Sequence, residues 1–170
     1  MVELAMANAK ILISACLLGH PVRYDGGARS ARHPALDRWQ AEGRLVPVCP
    51  ELSAGFPVPR PPAEIAGGQS GQAVLAGAAR VITTDGADVS DLFIAGAEIA
   101  LNLAREHTCR FAILTDGSPS CGSRFIYDGS FGGGRHDGVG VTTALLRAHG
   151  VRVFAESGIG ELQALLDMGG

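Results

Sequence analysis

The chain predicts an α/β fold: a single domain over residues 1–170, with 1–9 as an N-terminal extension. The expected core is a mainly parallel sheet with flanking helices, a Rossmann-like three-layer arrangement plus a small hairpin. Three observations carry this reading. Short apolar runs alternate with stretches of helical period, the rhythm of β–α units. Three of those runs, at 10–15, 45–48 and 111–114, break into turn residues and a cysteine, as buried strands do when they deliver loops. With 46% hydrophobic and 18% charged residues, the chain is too apolar for disorder and long enough to bury a core without disulfides.

The elements follow in order. Residues 10–15 form an apolar strand running into Cys16, and a turn-rich loop follows with Arg23, Tyr24 and Asp25 before two glycines. Residues 30–42 read as a helix, with Pro34 early, Leu36, Trp39 and Gln40 near one face, and Gly43 as its stop. A second strand, 45–49, closes on Cys49. The segment 50–65 holds five prolines; fixed φ angles make it a stiff extended wall. Residues 66–79, rich in Gly, Ala and Gln, say least. A strand at 80–84 with an Asp85-Gly86 turn is expected to pair with 73–75 as the small hairpin. Asp88 or Ser90 caps a long helix reaching about His107, with Leu92, Phe93, Ala97, Ala100 and Ala104 expected on its buried face.

Cys109 lies outside the strand-end pattern and is assigned to packing. The third strand, 111–114, opens into a loop of small residues carrying Cys121. Three consecutive glycines at 132–134 suggest a mobile loop and a candidate lid. A helix at 142–149, a strand at 151–154 and an amphipathic helix at 158–167 complete the chain.

Charge and composition narrow the function. Fourteen basic against seventeen acidic residues give −3, with Lys10 the only lysine, so no basic field favours a nucleic-acid polymer as partner. No apolar run is long enough to span a bilayer, and residues 1–9, with Glu3, lack the pattern of a secretory signal. The expected compartment is the cytoplasm. There, four cysteines point to metal or catalysis before disulfides. In an open parallel sheet, ligands bind beyond the carboxyl ends of the strands. Cys16, Cys49 and Cys121 would all reach that rim. Three thiolates hold zinc with water in the fourth position, or an iron–sulfur cluster with one iron lacking a protein ligand; their spacing leaves both open. His20, His33 and His149 show no ligand spacing.

Longer matches then appear. SACLLG (14–19) with VRYDGG (22–27), VPVCPE (46–51) with PVPRPPAEI (57–65), and SPSCGS (118–123) with IYDG (126–129) and DGVGVTTALLR (137–147) together resemble the TudS-type thiouracil desulfidases. The resemblance runs over residues 10–156. It departs at the N-terminal residues, at 66–79 and at the glycine-rich 130–136.

What the resemblance implies is a 4Fe–4S cluster held by Cys16, Cys49 and Cys121 with the fourth iron open. It further implies removal of sulfur from a thiolated pyrimidine base without net redox change. The partner is then a small-molecule thiolated nucleobase. Glu51 matches the family's acid/base carboxylate and Ser118 an active-site serine; without the resemblance the first reads as a solvated loop glutamate and the second as a turn residue. Ser120, Arg23, Tyr24 and Arg60 are the candidate substrate-binding groups, and His136 on the glycine-rich loop is a weaker one. Two other classes stand beside this. A three-cysteine zinc hydrolase or deaminase would use Glu51 as its acid/base, but the chain lacks a His-x-Glu followed by Pro-Cys-x-x-Cys. A non-catalytic thiol or metal sensor would be indifferent to Glu51→Gln.

Overall fold

The computed structural model describes residues 9–28 and 30–168, so most of the expected N-terminal extension lies outside the described residues. In chain order the elements are β1 (Ile11–Ser14), α1 (Pro34–Ala41), β2 (Leu45–Val48), α2 (Pro50–Ser53), β3 (Ala63–Ile65), α3 (Gly71–Leu75), β4 (Val81–Thr83) and α4 (Ser90–Glu106). Then come β5 (Phe111–Ile113), β6 (Phe125–Tyr127), β7 (Arg135–Asp137), α5 (Val141–Ala148), β8 (Arg152–Phe154) and α6 (Ile159–Met168).

The expected parallel sheet is present, with strand order β2-β1-β5-β8. Ile11 pairs with Leu45 on one side and Phe111 on the other, and Phe111 with Arg152. Side chains alternate across a strand, and here both faces are covered. Ile11, Ile13, Phe111 and Ile113 pack with α1 and α6 around Trp39, Ile159 and Leu162. Leu12, Val46, Ala112 and Leu114 pack with α4 and α5 through Ala100, Ala104 and Leu146. That two-sided burial is why the strands read as unbroken apolar runs. The result is the three-layer α/β arrangement.

A smaller core lies beside the sheet, joining Ile65, Val81, Phe93, Ile126 and Val141. Its elements correct three expectations. The hairpin partner of β4 is β3, with Ile65 opposite Val81; residues 73–75 belong to helix α3, where Val74 points inward. The proline-rich wall begins with a helical turn, because Pro50 occupies the first helical position, where its missing N–H costs nothing. The glycine-rich 128–134 stretch joins β6 to β7, an antiparallel pair absent from the sequence reading. At α4, Asp88 accepts from the Ser90 amide at 3.0 Å, and the residue at the cap position is Val89. At α1, the helix starts only at Pro34, with the His33 ring accepting from the Ala35 amide.

Candidate active site

Strand order reverses between β1 and β5, since β1 is followed by a neighbour on one side and later by β5 on the other. Loops diverging at such a point leave a crevice. Cys16 lies in the 3₁₀ turn Ala15–Leu18 directly after β1. Cys49 is the residue between β2 and α2. Cys121 arrives on the loop that follows β5. All three line one cavity of about 290 Å³, at the lower end of small-ligand sites. Cys109 is 6% exposed in the core on the α4 side of the sheet, as its packing assignment requires.

The Cys121 loop is held by a buried carboxylate. Asp116, 4% exposed, accepts through Oδ1 from the amides of Gly117, Ser123, Arg124 and Phe125 at 3.1–3.3 Å. Its own amide donates to Glu156. Ser118 Oγ accepts from the amides of Ser120 and Cys121 at 3.1 and 3.2 Å. Ser118 therefore closes the turn that presents the thiol while lining the cavity. Gly140 completes the fit from below: a Cβ there would overlap the Ser120 carbonyl group.

Burial raises all three thiol pKa values. For Cys16 the nearby Arg23 charge acts in the opposite sense. For Cys49 the amide of Leu52, at the start of α2, does so. Cys121 is pushed furthest, first by burial and then by negative charge at Cys16 and Glu51. Such thiols stay protonated until a cation displaces the proton. Among the described residues, no three His, Cys, Asp or Glu side chains converge closely enough to hold a single metal ion. Next to Cys16, Thr115 lines the cavity, and its hydroxyl hydrogen-bonds the Cys16 sulfur, which favours the thiolate.

Opposite the thiols the wall is built differently. Arg60, in the proline-rich segment, is 9% exposed and fully engaged. Its Nε donates to Glu51 Oε2 at 2.7 Å, and its Nη atoms donate to the carbonyls of Pro57 and Val22 at 3.2 and 3.0 Å. Its amide donates to the Tyr24 carbonyl. The guanidinium thus clamps Glu51, two residues after Cys49, at the cavity edge. Arg23 and Tyr24 line the cavity too, while Asp25 only closes its own turn onto Gly27.

Most of the sequence-derived candidates therefore meet: Cys16, Cys49, Cys121, Glu51, Ser118, Arg23, Tyr24 and Arg60 share one cavity. Ser120 and His136 are not among its lining residues. Ser120 is 1% exposed, with Oγ 2.8 Å from Thr142 Oγ1 under the loop, and the His136 ring turns to the Asp137 carbonyl. Sequence reasoning missed Asp116, Thr115, Glu64 and Tyr127. Asp116-Gly117 carried a turn signal that pointed to its role; Glu64 carried none.

The comparisons with known proteins decide the family. The model of the 2-thiouracil desulfurase family matches residues 11–158. The chain belongs to the 2-thiouracil desulfurase family. It is thus a desulfurase, and the cavity sits where an enzyme on this fold carries its site. Among relatives, it is 43% identical over 152 residues to the uncharacterized protein YbbK of Bacillus subtilis (strain 168), covering 89% of this chain and 99% of that one. Among solved structures, it is similar to the [4Fe-4S]-dependent thiouracil desulfidase TudS, at 48% identity and a TM-score of 0.85, covering 94% of this chain and 99% of that chain. No helix among the described residues of this desulfurase is long and apolar enough to cross a membrane.

Proposed function

We propose that this chain is a 4Fe–4S-dependent desulfidase that hydrolyses the thiocarbonyl of a thiolated pyrimidine base, giving the oxo base and hydrosulfide without net redox change. The observation that carries it is the meeting of three thiols from three strand ends at one cavity, in a chain of the desulfurase family. The residues fit the group. The thiols are a soft donor set suited to iron and sulfide. The Thr115 hydroxyl hydrogen-bonds the Cys16 sulfur and favours its thiolate, the form that binds iron. Cys16, Cys49 and Cys121 would hold the cluster. When bound, it supplies an iron with an open position, a soft Lewis acid for the thiocarbonyl sulfur.

The protein's own groups do the rest. The substrate is a free small base, sized to a cavity of about 290 Å³, and not a nucleic-acid chain. Water adds to the ring carbon, a C–O bond forms, and the C–S bond breaks. Arg60 holds Glu51 Oε2, leaving Oε1 to take the proton from water and return it to the departing sulfur or the ring nitrogen. Ser118 fixes the Cys121 loop through its Oγ and lies within the cavity to relay a proton. Ser120 supports the loop from beneath through Thr142. A reducing cytoplasm keeps the thiols available.

The test is anaerobic reconstitution followed by sulfide release from 2- and 4-thiouracil. Glu51→Gln is expected to keep the visible cluster absorption and lose about 10²–10⁴-fold in turnover, the usual worth of a positioned acid/base. Wild-type protein that binds a cluster but releases no sulfide from either base overturns the reading. A Gln variant with full turnover removes Glu51 from it.

A further inference from the structure

The cavity holds three carboxylates, and two are committed. Glu51 is paired with Arg60 at 2.7 Å, and Asp116 is spent on the amides of its own loop. Glu64, on β3, is different. Its Oε1 accepts from the amides of Gly129 and Phe131, at 2.9 and 3.2 Å, which ties the tip of the β6–β7 hairpin to β3. Its Oε2 has no hydrogen-bond donor among the described residues. No cation faces it either: the ion pairs there join Arg38 to Glu42 and Asp167, Arg44 to Glu42, Arg60 to Glu51 and Arg80 to Asp88. Two amides hold one oxygen, and the other is left as an acceptor on a residue that lines the cavity.

An anion without a cation, half-buried in a ligand cavity, is completed by an N–H donor that the ligand brings. Thiolated pyrimidines carry such a donor on the ring nitrogen next to the thiocarbonyl carbon. We infer that Glu64 Oε2 is the specificity-determining acceptor for that N–H, so that the site selects thioamide-type substrates with a free ring N–H beside the C=S group. The inference rests on the desulfidase reading of the cavity and names the part of the substrate it recognises. Glu64 does no proton chemistry here. It orients the base so that the thiocarbonyl faces the thiols, while the hairpin it anchors supplies Tyr127 and Gly133 to the same wall.

The Glu64→Gln variant separates this role from the anchoring one. Glutamine keeps a carbonyl oxygen for the Gly129 and Phe131 amides but puts an NH₂ donor where Oε2 was. Reconstituted wild-type enzyme and variant are compared on 4-thiouracil and on 3-methyl-4-thiouracil, in which the only ring N–H flanking the thiocarbonyl is gone. For the wild type, N-methylation is expected to raise KM about tenfold or more, the worth of a hydrogen bond to a charged group. For the variant, KM on 4-thiouracil rises by about the same factor, the two substrates become equal within about twofold, and the cluster absorption and kcat stay near wild type. Wild-type indifference to methylation overturns the inference and needs no variant to do so. So does a Glu64→Gln enzyme with unchanged KM, or one that has lost its cluster absorption. In each case active wild type leaves the desulfidase reading standing; a wild type inert on 4-thiouracil strikes that reading instead.

Discussion

The thiol rim and the outer wall of the cavity are assembled by opposite means. The rim is a consequence of the sheet: three parallel strands end together, and the loops that follow them deliver Cys16, Cys49 and Cys121. Its supports are buried, with Asp116, Ser120 and Thr142 each under 5% exposed. The wall rests on two short antiparallel pairs, β3–β4 and β6–β7, joined by single side chains reaching across to backbone amides and carbonyls. Arg60 and Glu64 carry most of those contacts. On the proposed reading, the rim sets what the site can bind and the wall sets how a substrate lies in it. Damage to the first should abolish the cofactor, and damage to the second should spare it.

The sharpest way to break that division is at the rim. Replacing any one of Cys16, Cys49 or Cys121 by alanine is expected to remove both cluster absorption and sulfide release after anaerobic reconstitution. A single variant that retains both would dissolve the three-thiol rim. Two glycines extend the comparison without touching a ligand. Gly140→Ala drives a Cβ into the Ser120 carbonyl beneath the Cys121 loop and should fail to hold the cluster. Gly129 has φ +93°, and a Cβ there would sit 2.5 Å from the Ile65 carbonyl oxygen. Gly129→Ala should lift the hairpin off β3, raise KM and leave the cluster spectrum intact. Reversal of that pattern would mean that the wall, not the rim, holds the cofactor.

Arg60 tests the wall from its buried end. Arg60→Met leaves Glu51 and the Val22 carbonyl without their donor, and breaking a buried pair this way costs about 3–5 kcal/mol. Thermal unfolding should show that loss, and turnover should fall with cluster absorption kept, because Glu51 loses its anchor. Arg60→Lys keeps the charge but not the three-way contact, and is expected to recover stability better than rate. Equal recovery of both would make Arg60 a purely structural residue.

The same division explains what could be read from the chain alone. Residues 11–14 and 111–113 are buried on both faces and 45–48 on one, so their apolar runs announced the parallel sheet and its thiol-bearing ends. The long helix Ser90–Glu106 was legible because its buried residues recur at helical spacing. The wall gave no such pattern. Arg135-His136-Asp137 is a strand of polar residues bounded by glycine, with no alternation to betray it. Val81–Thr83 has a clear strand signal, but its partner, Ala63–Ile65, was hidden at the end of a proline-rich stretch. The Glu51–Arg60 pair spans a proline-rich turn whose path no local rule specifies. Glu64 differs from a solvated glutamate only through amides some 65 residues onward.

The smallest effect concerns the thiol that belongs to neither region. Burial raises Cys109 from an ordinary value of 9.0 to about 11, only partly offset by the Lys10 charge. A raised folded-state value means the folded chain holds this proton more tightly than the unfolded chain. Stability from Cys109 is therefore complete below pH 9 and is lost as pH climbs through about 11. A shift of that size corresponds to about 2–3 kcal/mol. Chemical denaturation of reconstituted wild type and Cys109→Ala across this window should show the wild type losing that much more stability than the variant. At neutral pH both should bind the cluster and release sulfide alike, because Cys109 is buried in the core and is not among the residues that line the cavity. A pH-independent stability difference would mean that the thiol does not titrate with the fold. Lost cluster absorption in the alanine variant would bring Cys109 into the site and break the three-thiol assignment from the opposite end.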